Sequence, residues 1–146
     1  MLVREVMSSA PITCTPDDTL ERVAKLMAEH DCGFIPVCRG AELAGVVTDR
    51  DIACRAVARS HAPAETPVSE VMSSPVFTVR DTDDVQVAID RMEQRQVRRL
   101  PVLDDSGRLA GVIAPSDLAP IFASMNVSDF LLAVSYWARR PAVEVS

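Results

Sequence analysis

Thr48 and Asp51, three positions apart, pair a hydroxyl with a carboxylate, and Arg50 stands between them. An ionised carboxylate is acceptor-only and can take both hydroxyl hydrogens of a cis-diol. Hydrogen bonds to a charged group contribute about 1.5–3 kcal/mol, one to two decades in affinity. A second pair, Arg98 and Arg99, offers guanidinium groups whose charge and paired donors suit a phosphate. Both pairs have local alternatives: Asp49 and Asp51 can cap the helix that follows, and the arginines can stand at a solvated helix end and favour its macrodipole. Catalysis is not expected. His30 and His61 are the only histidines; neither belongs to a nucleophile–base arrangement, and the chain contains no Gly-x-Gly-x-x-Gly or Walker-type loop.

The elements that must position these groups come in duplicate. Gly-Val-Val-Thr-Asp-Arg-Asp at 45–51 returns as Gly-Val-Ile-Ala-Pro-Ser-Asp at 111–117. Each copy reads as a buried strand running into a helix, a junction that can present amides and a carboxylate to a small ligand. Val6 and Val71, Met27 and Met92, and Pro36 and Pro101 are separated by 65 positions; from the hairpin onward, Leu43 and Leu109, Gly45 and Gly111, and Asp51 and Asp117 are separated by 66. One residue has been inserted in a turn.

The first copy opens with Val3, Val6 and Met7 on one side of a short helix, and a strand is expected over residues 12–14. Leu20, Val23, Ala24 and Met27 form the stripe of an amphipathic helix, preceded by a capping box at Asp18 and Glu21. Val85, Ala88, Ile89 and Met92 repeat the stripe, and Asp83 and Gln86 the box. Residues 34–38 and 43–48 read as a hairpin about a turn at 39–41, with Pro36 at a strand start or on an unpaired side. The helix after it should bury Ile52, Ala53, Ala56 and Val57 on one face.

Each copy is thus β-α-β-β-α. The helix-linked strands should be parallel and the hairpin antiparallel. A unit of about 50 residues with one bare sheet face is marginal alone, so two copies should pack sheet to sheet. The expected division is 1–60, a Pro-containing linker at 61–67, 68–120, and a helical tail at 121–146. The tail region holds Phe122, Phe130, Tyr136 and Trp137, and Ser128 with Asp129 should cap a helix ending near Arg139. Its expected role is to dock on the module or on a second subunit, with a surface for a different partner as the alternative.

The 146 residues carry a formal net charge of -6 and 48% hydrophobic content. That charge argues against nonspecific nucleic-acid binding, which needs a basic face. No leader pattern and no apolar run of about 20 residues are visible, so the cytoplasm is the expected location. Cys14, Cys32, Cys38 and Cys54 show no zinc-site spacing and read as free thiols, mostly buried; no metal is expected.

Val-Met-Ser-Ser, a helix ending near Met, Ile-Pro-Val or Leu-Pro-Val, and then the Gly-Val-Val-Thr-Asp-Arg-Asp phrase, all in two ordered copies, resemble a tandem pair of cystathionine-β-synthase (CBS) domains, the Bateman module. The resemblance covers residues 1 to about 120. It implies a pseudo-twofold mixed α/β (α+β) module with composite clefts for adenosine-containing ligands: AMP, ADP, ATP or S-adenosylmethionine. It also implies a disc-like homodimer and a regulatory rather than catalytic role, read by a separate, unknown effector protein. No cofactor is required beyond the adenine nucleotide as regulatory ligand.

By the family pattern, Thr48 and Asp51 hold a ribose, with Arg50 beside them. Facing them are Val76, Phe77 and Thr78 together with Arg98, Arg99, Leu100 and Pro101, the last two as an apolar wall for a base. The second cleft combines Ala114, Ser116 and Asp117 with Ile12, Thr13, Gly33, Phe34 and Ile35. Ala114 lacks the hydroxyl of Thr48, and Gly33 and Phe34 replace the two arginines. The two sites should therefore differ, with nucleotides preferring the Asp51 cleft. A module that binds no nucleotide and serves only protein interaction is the alternative.

Overall fold

The computed structural model describes residues 1–122. The helix expected from Ser128 onward falls outside the described residues. The chain begins with a helical turn, α1 (Val3–Val6), and a two-residue strand, β1 (Ser8–Ser9). Next come α2 (Leu20–His30) and the antiparallel hairpin β2 (Phe34–Arg39) and β3 (Glu42–Thr48), which turns at Gly40 with φ +61°. A helical segment of changing pitch follows: α3 (Asp49–Asp51), a π-wound stretch (Ile52–Ala56) and a 3-10 turn (Val57–Arg59).

The second copy runs β4 (Val79–Arg80), α4 (Val85–Arg95), β5 (Leu100–Leu103), β6 (Leu109–Ile113), a 3-10 turn (Pro115–Leu118) and α5 (Ala119–Phe122). The fold is mixed α and β, as the repeated pattern implied.

One sheet has the order β1-β6-β5-β4, with β4 parallel to β5 and the β5–β6 hairpin antiparallel. The other is the β2–β3 hairpin, flanked by two single bridges: Cys14 joins Val37 in parallel and Ser73 joins Val46 in antiparallel sense. The two sheets are therefore pseudo-equivalent strand by strand. The expected strand over 12–14 is reduced to that one bridge at Cys14.

Pro36 is tolerated because Val46 directs its backbone N–H and C=O to Ser73, away from Pro36, at 3.1 and 2.8 Å. The carbonyl of Pro36 accepts instead from the Cys14 amide at 3.1 Å, so the missing proline N–H leaves no ladder bond unmade.

Each copy sends its opening segment into the other. The Val3 amide donates to Asp83 O at 2.8 Å, Val3 is buried in the core built on α4, β5 and β6, and β1 pairs with β6. Reciprocally, the Val68 amide donates to Asp18 O at 2.8 Å, and Val68 and Val71 are buried in the core built on α2, β2 and β3. Gly45 and Gly111 are the points of closest passage. A Cβ on Gly45 would meet Met72 Sδ and Ser73 O at 2.9 Å; one on Gly111 would meet Ser8 O at 2.6 Å and Met7 Sδ at 2.8 Å. The glycine that opens each repeated phrase admits the crossing segment.

Several local expectations shift. The side-chain cap of α2 is Thr19, which accepts from Arg22 N at 3.2 Å, while Asp18 accepts from Thr15 N at 2.8 Å and Glu21 pairs with Lys25. In α4 the cap is Asp84, accepting from Gln86 N, and Asp83 accepts from Arg80 N. The caps fall one residue later because the aspartate ahead of each closes the preceding turn. The Gln86 N–H, helped by the N-terminal ammonium, holds the Asp84 carboxyl below its ordinary range.

Leu20, Val23 and Met27 are buried while Ala24 is exposed. After β3, Ala56 is buried and Ile52 half-buried, but Ala53 is exposed and Val57 is 63% exposed. The departure from a 3.6-residue turn rotates the face.

Burial, and secondarily Asp18, pushes the Cys14 thiol from its ordinary 9.0 up to about 12; burial also raises Cys38. The folded-state preference of Cys14 for the neutral thiol is fully present below pH 9.0 and is lost as pH rises toward 12. Cys32 and Cys54 are only half-buried. In the native protein near pH 8, roughly one unit below the unfolded thiol pKa, an aromatic disulfide reagent should label Cys32 and Cys54 first. Cys14 and Cys38 should react only after denaturation; equal rates for all four would contradict the burial.

Candidate functional site

The β2–β3 register sets the first wall of the site. Phe34 pairs with Thr48, and the Asp49 amide donates to Gly33 O at 3.0 Å, so the start of one strand lies beside the end of the other. At that end the chain turns into α3 through a reciprocal cap. The Thr48 amide donates to Asp51 Oδ2, and the Asp51 amide donates to Thr48 Oγ1, both at 3.0 Å. The capping role weighed for Asp51 is thus present. It leaves capacity for a ligand: the Thr48 hydroxyl still has its own hydrogen to donate, and a carboxylate has about four lone-pair sites.

Opposite stands the second copy. Ser73, bridged to Val46, leads to Pro75, Val76 and Phe77, and the connection from α4 to β5 supplies Gln96, Val97, Arg98 and Arg99 ahead of Leu100 and Pro101. Together with Thr48, Asp49, Arg50 and Asp51 they enclose a cleft of about 490 Å³, within the range of ordinary small-ligand sites. The basic groups Arg50, Arg98 and Arg99 lie on exposed parts of its rim, whereas Leu100 and Pro101 are buried at its wall.

Of the residues expected here, Thr48, Arg50, Asp51, Val76, Phe77, Arg98, Arg99, Leu100 and Pro101 meet in this one cleft. Thr78 is not part of its lining; its carbonyl accepts from Arg91 Nη1, on the outer side against α4. Gly33 and Phe34, expected across from Asp117, stand on the wall of the Thr48–Asp51 cleft, because hairpin pairing places the start of β2 beside its own partner's end.

The remaining expected residues are dispersed. Ile35 is fully buried between the helices and β3 core positions, Ile12 packs partly buried against the same core, and Thr13 is exposed. At the second junction the Ala114 amide donates to Asp117 Oδ2 at 2.8 Å, and Ser8 Oγ lies 3.4 Å from Asp117 Oδ1. Ser116 is exposed beside them.

Val46, Asp49, Ser73, Pro75, Gln96 and Val97 line the cleft without being expected there, and two arginines contact its lining. Arg55 Nη1 donates to Val71 O and to Ser73 Oγ, both at 3.2 Å, while its Nε lies 3.8 Å from Asp51 Oδ1. The i, i+4 spacing of Asp51 and Arg55 was a readable signal. Arg95 places its guanidinium carbon 4.4 Å from the centroid of the Phe77 ring, which is 41% exposed. No sequence spacing marks that pair, since the two residues belong to a loop and a helix end. Among the described residues, no group of three His, Cys, Asp or Glu side chains is placed to hold a metal ion, and no helix is long and apolar enough to cross a membrane.

The profile of the CBS domain family matches this chain twice, at residues 3–56 and 68–124. The CBS domain-containing protein YhcV of Bacillus subtilis is 39% identical over 117 residues, covering 80% of this chain and 82% of that protein. The CBS domain protein PAE2072 from Pyrobaculum aerophilum, solved in complex with AMP, superposes with a TM-score of 0.74 at 28% identity, covering 92% of this chain and 98% of that one. The CBS domain pair of protein MJ0100, solved with 5'-methylthioadenosine and S-adenosyl-L-methionine, gives a TM-score of 0.73 at 26% identity, covering 84% of this chain and 99% of its own.

Proposed function

The chain belongs to the CBS domain family as a tandem pair, and from that premise we propose that it is a regulatory module whose cleft between the two copies binds an adenosine-containing ligand of the AMP, ADP or ATP class. The observation that carries this reading is the convergence of Thr48 and Asp51 from one copy with Arg98 and Arg99 from the other on a single cleft. A ribose diol suits the carboxylate and hydroxyl, a phosphate suits the arginines, and Val76, Phe77, Leu100 and Pro101 offer apolar and aromatic surface to a base. AMP in the similar PAE2072 protein supports the ligand class.

The Asp117 junction carries Ala114 where the first copy has Thr48 and Ser116 where it has Arg50; without that threonine and that cation it suits an adenosyl group without phosphate. The S-adenosyl-L-methionine and methylthioadenosine held by the MJ0100 pair favour that second reading. Ligand contact on both copies would bias their relative arrangement, which a separate effector protein reads, with a homodimer as the acting unit.

The test is a thermal-shift and calorimetric series with AMP, ADP, ATP and S-adenosylmethionine. At 100 times its dissociation constant a true ligand adds about 2.7 kcal/mol, a rise in Tm of roughly 5–10 °C for a chain of this size. No shift with any of the four would remove the sensor reading and leave a module for protein interaction alone.

A further inference from the structure

The cleft proposed for a nucleotide contains two carboxylates, Asp49 and Asp51. A carboxylate that grips a ribose stands within reach of the ligand's phosphate and repels it. Arg55 answers that conflict. It does not itself line the cleft, yet its Nε lies 3.8 Å from Asp51 Oδ1 and its Nη1 is anchored at 3.2 Å on both Val71 O and Ser73 Oγ. The anchor belongs to the other copy's opening segment, where the Ser73 backbone is itself fixed to Val46 by bonds of 2.8 and 3.1 Å. The guanidinium is thus held on the far side of Asp51 by groups that do not depend on a ligand.

The second junction keeps the carboxylate half of the cap, Ala114 N to Asp117 Oδ2 at 2.8 Å, and has a different neighbour. Position 121, which corresponds to Arg55 by the 66-residue offset, is Ile, partly buried against the second core. The second oxygen of Asp117, Oδ1, accepts from the neutral Ser8 hydroxyl at 3.4 Å. Asp51 has a fixed cation beside its Oδ1, whereas among the described residues Asp117 Oδ1 meets a neutral hydroxyl.

Resting on the nucleotide reading above, we infer that Arg55 is a positioning residue that offsets the charge of Asp51, so that this cleft accepts a ligand carrying phosphate. Arg55→Gln keeps a donor for Val71 O and Ser73 Oγ but removes the charge; Arg55→Lys keeps the charge and loses the fork. Calorimetry with AMP and with adenosine on wild type and both variants separates the roles. The preference for AMP over adenosine should fall roughly fivefold in Arg55→Gln, the scale of one half-exposed charge pair, and should stay within about twofold in Arg55→Lys.

A merely structural Arg55 would weaken both ligands alike and leave the preference unchanged in both variants, which overturns the inference. A fall of the preference in both variants overturns it as well, because charge would then not be the cause. If wild type binds neither AMP nor adenosine, it is the nucleotide reading that fails, and this inference fails with it.

Discussion

Replacing Asp51 by Ala is expected to weaken AMP binding by about 10- to 150-fold, while Asp117→Ala leaves it within about twofold. The first figure follows from losing hydrogen bonds to a charged acceptor, about 1.5–3 kcal/mol. The comparison is well matched because both substitutions remove the same local bond. Asp51 Oδ2 accepts from Thr48 N at 3.0 Å and Asp117 Oδ2 from Ala114 N at 2.8 Å, each a cap whose loss costs about 1 kcal/mol of stability. Similar drops in Tm with unequal changes in affinity would isolate the ligand contact.

Asp51→Asn should fall between wild type and Ala, since it keeps an acceptor and loses the charge. Isothermal titration on the three variants and wild type decides the matter. Equal loss from Asp51→Ala and Asp117→Ala would sink the proposed inequality of the two sites.

Gly111→Val should destabilise the fold by about 3 kcal/mol, the upper part of the usual cost of overpacking, and lower Tm by roughly 10 °C. The cause is specific. A Cβ there would lie 2.6 Å from the carbonyl oxygen of Ser8, and that carbonyl belongs to β1, which cannot withdraw without breaking its pairing with β6. The methyl groups of Val enlarge the clash.

The consequence extends beyond local strain. Detaching β1 would loosen α1, whose Val3 fills the second core, so the loss should appear in cooperative unfolding rather than in one frayed end. Gly111→Ala should show a smaller loss of the same sign, and Gly45→Ala a similar one, since its Cβ would meet Ser73 O at 2.9 Å. Chemical denaturation monitored by circular dichroism gives the values; an unchanged midpoint for Gly111→Val would show that the crossing segment is free to move.

The residues that face Thr48 and Asp51 came from the family resemblance; the sequence by itself determined the repeated unit, its order of helices and strands, and the hydroxyl–carboxylate pair. Those features rest on periodicity and on residue chemistry, which are local: the stripe of α4, the turn at Gly40, and a hydroxyl and carboxylate three positions apart all read directly from the chain. Even the pairing of Asp51 with Arg55 was present as an i, i+4 spacing.

What only the tertiary structure decided concerns segments whose position depends on partners far along the chain. Val3 reads as an apolar residue of the first copy, yet it is buried in the core of the second, because the period of a short helix says which face is apolar and not what covers it. Gly33 and Phe34 were assigned across the module, while the hairpin register sets them beside Thr48. Ala53 and Val57 looked like core positions until the π-wound turn rotated them outward. Gly45 and Gly111 were visible as repeated residues, but the reason for them, another backbone passing within 3 Å of a missing Cβ, exists only once the two copies have exchanged their opening segments.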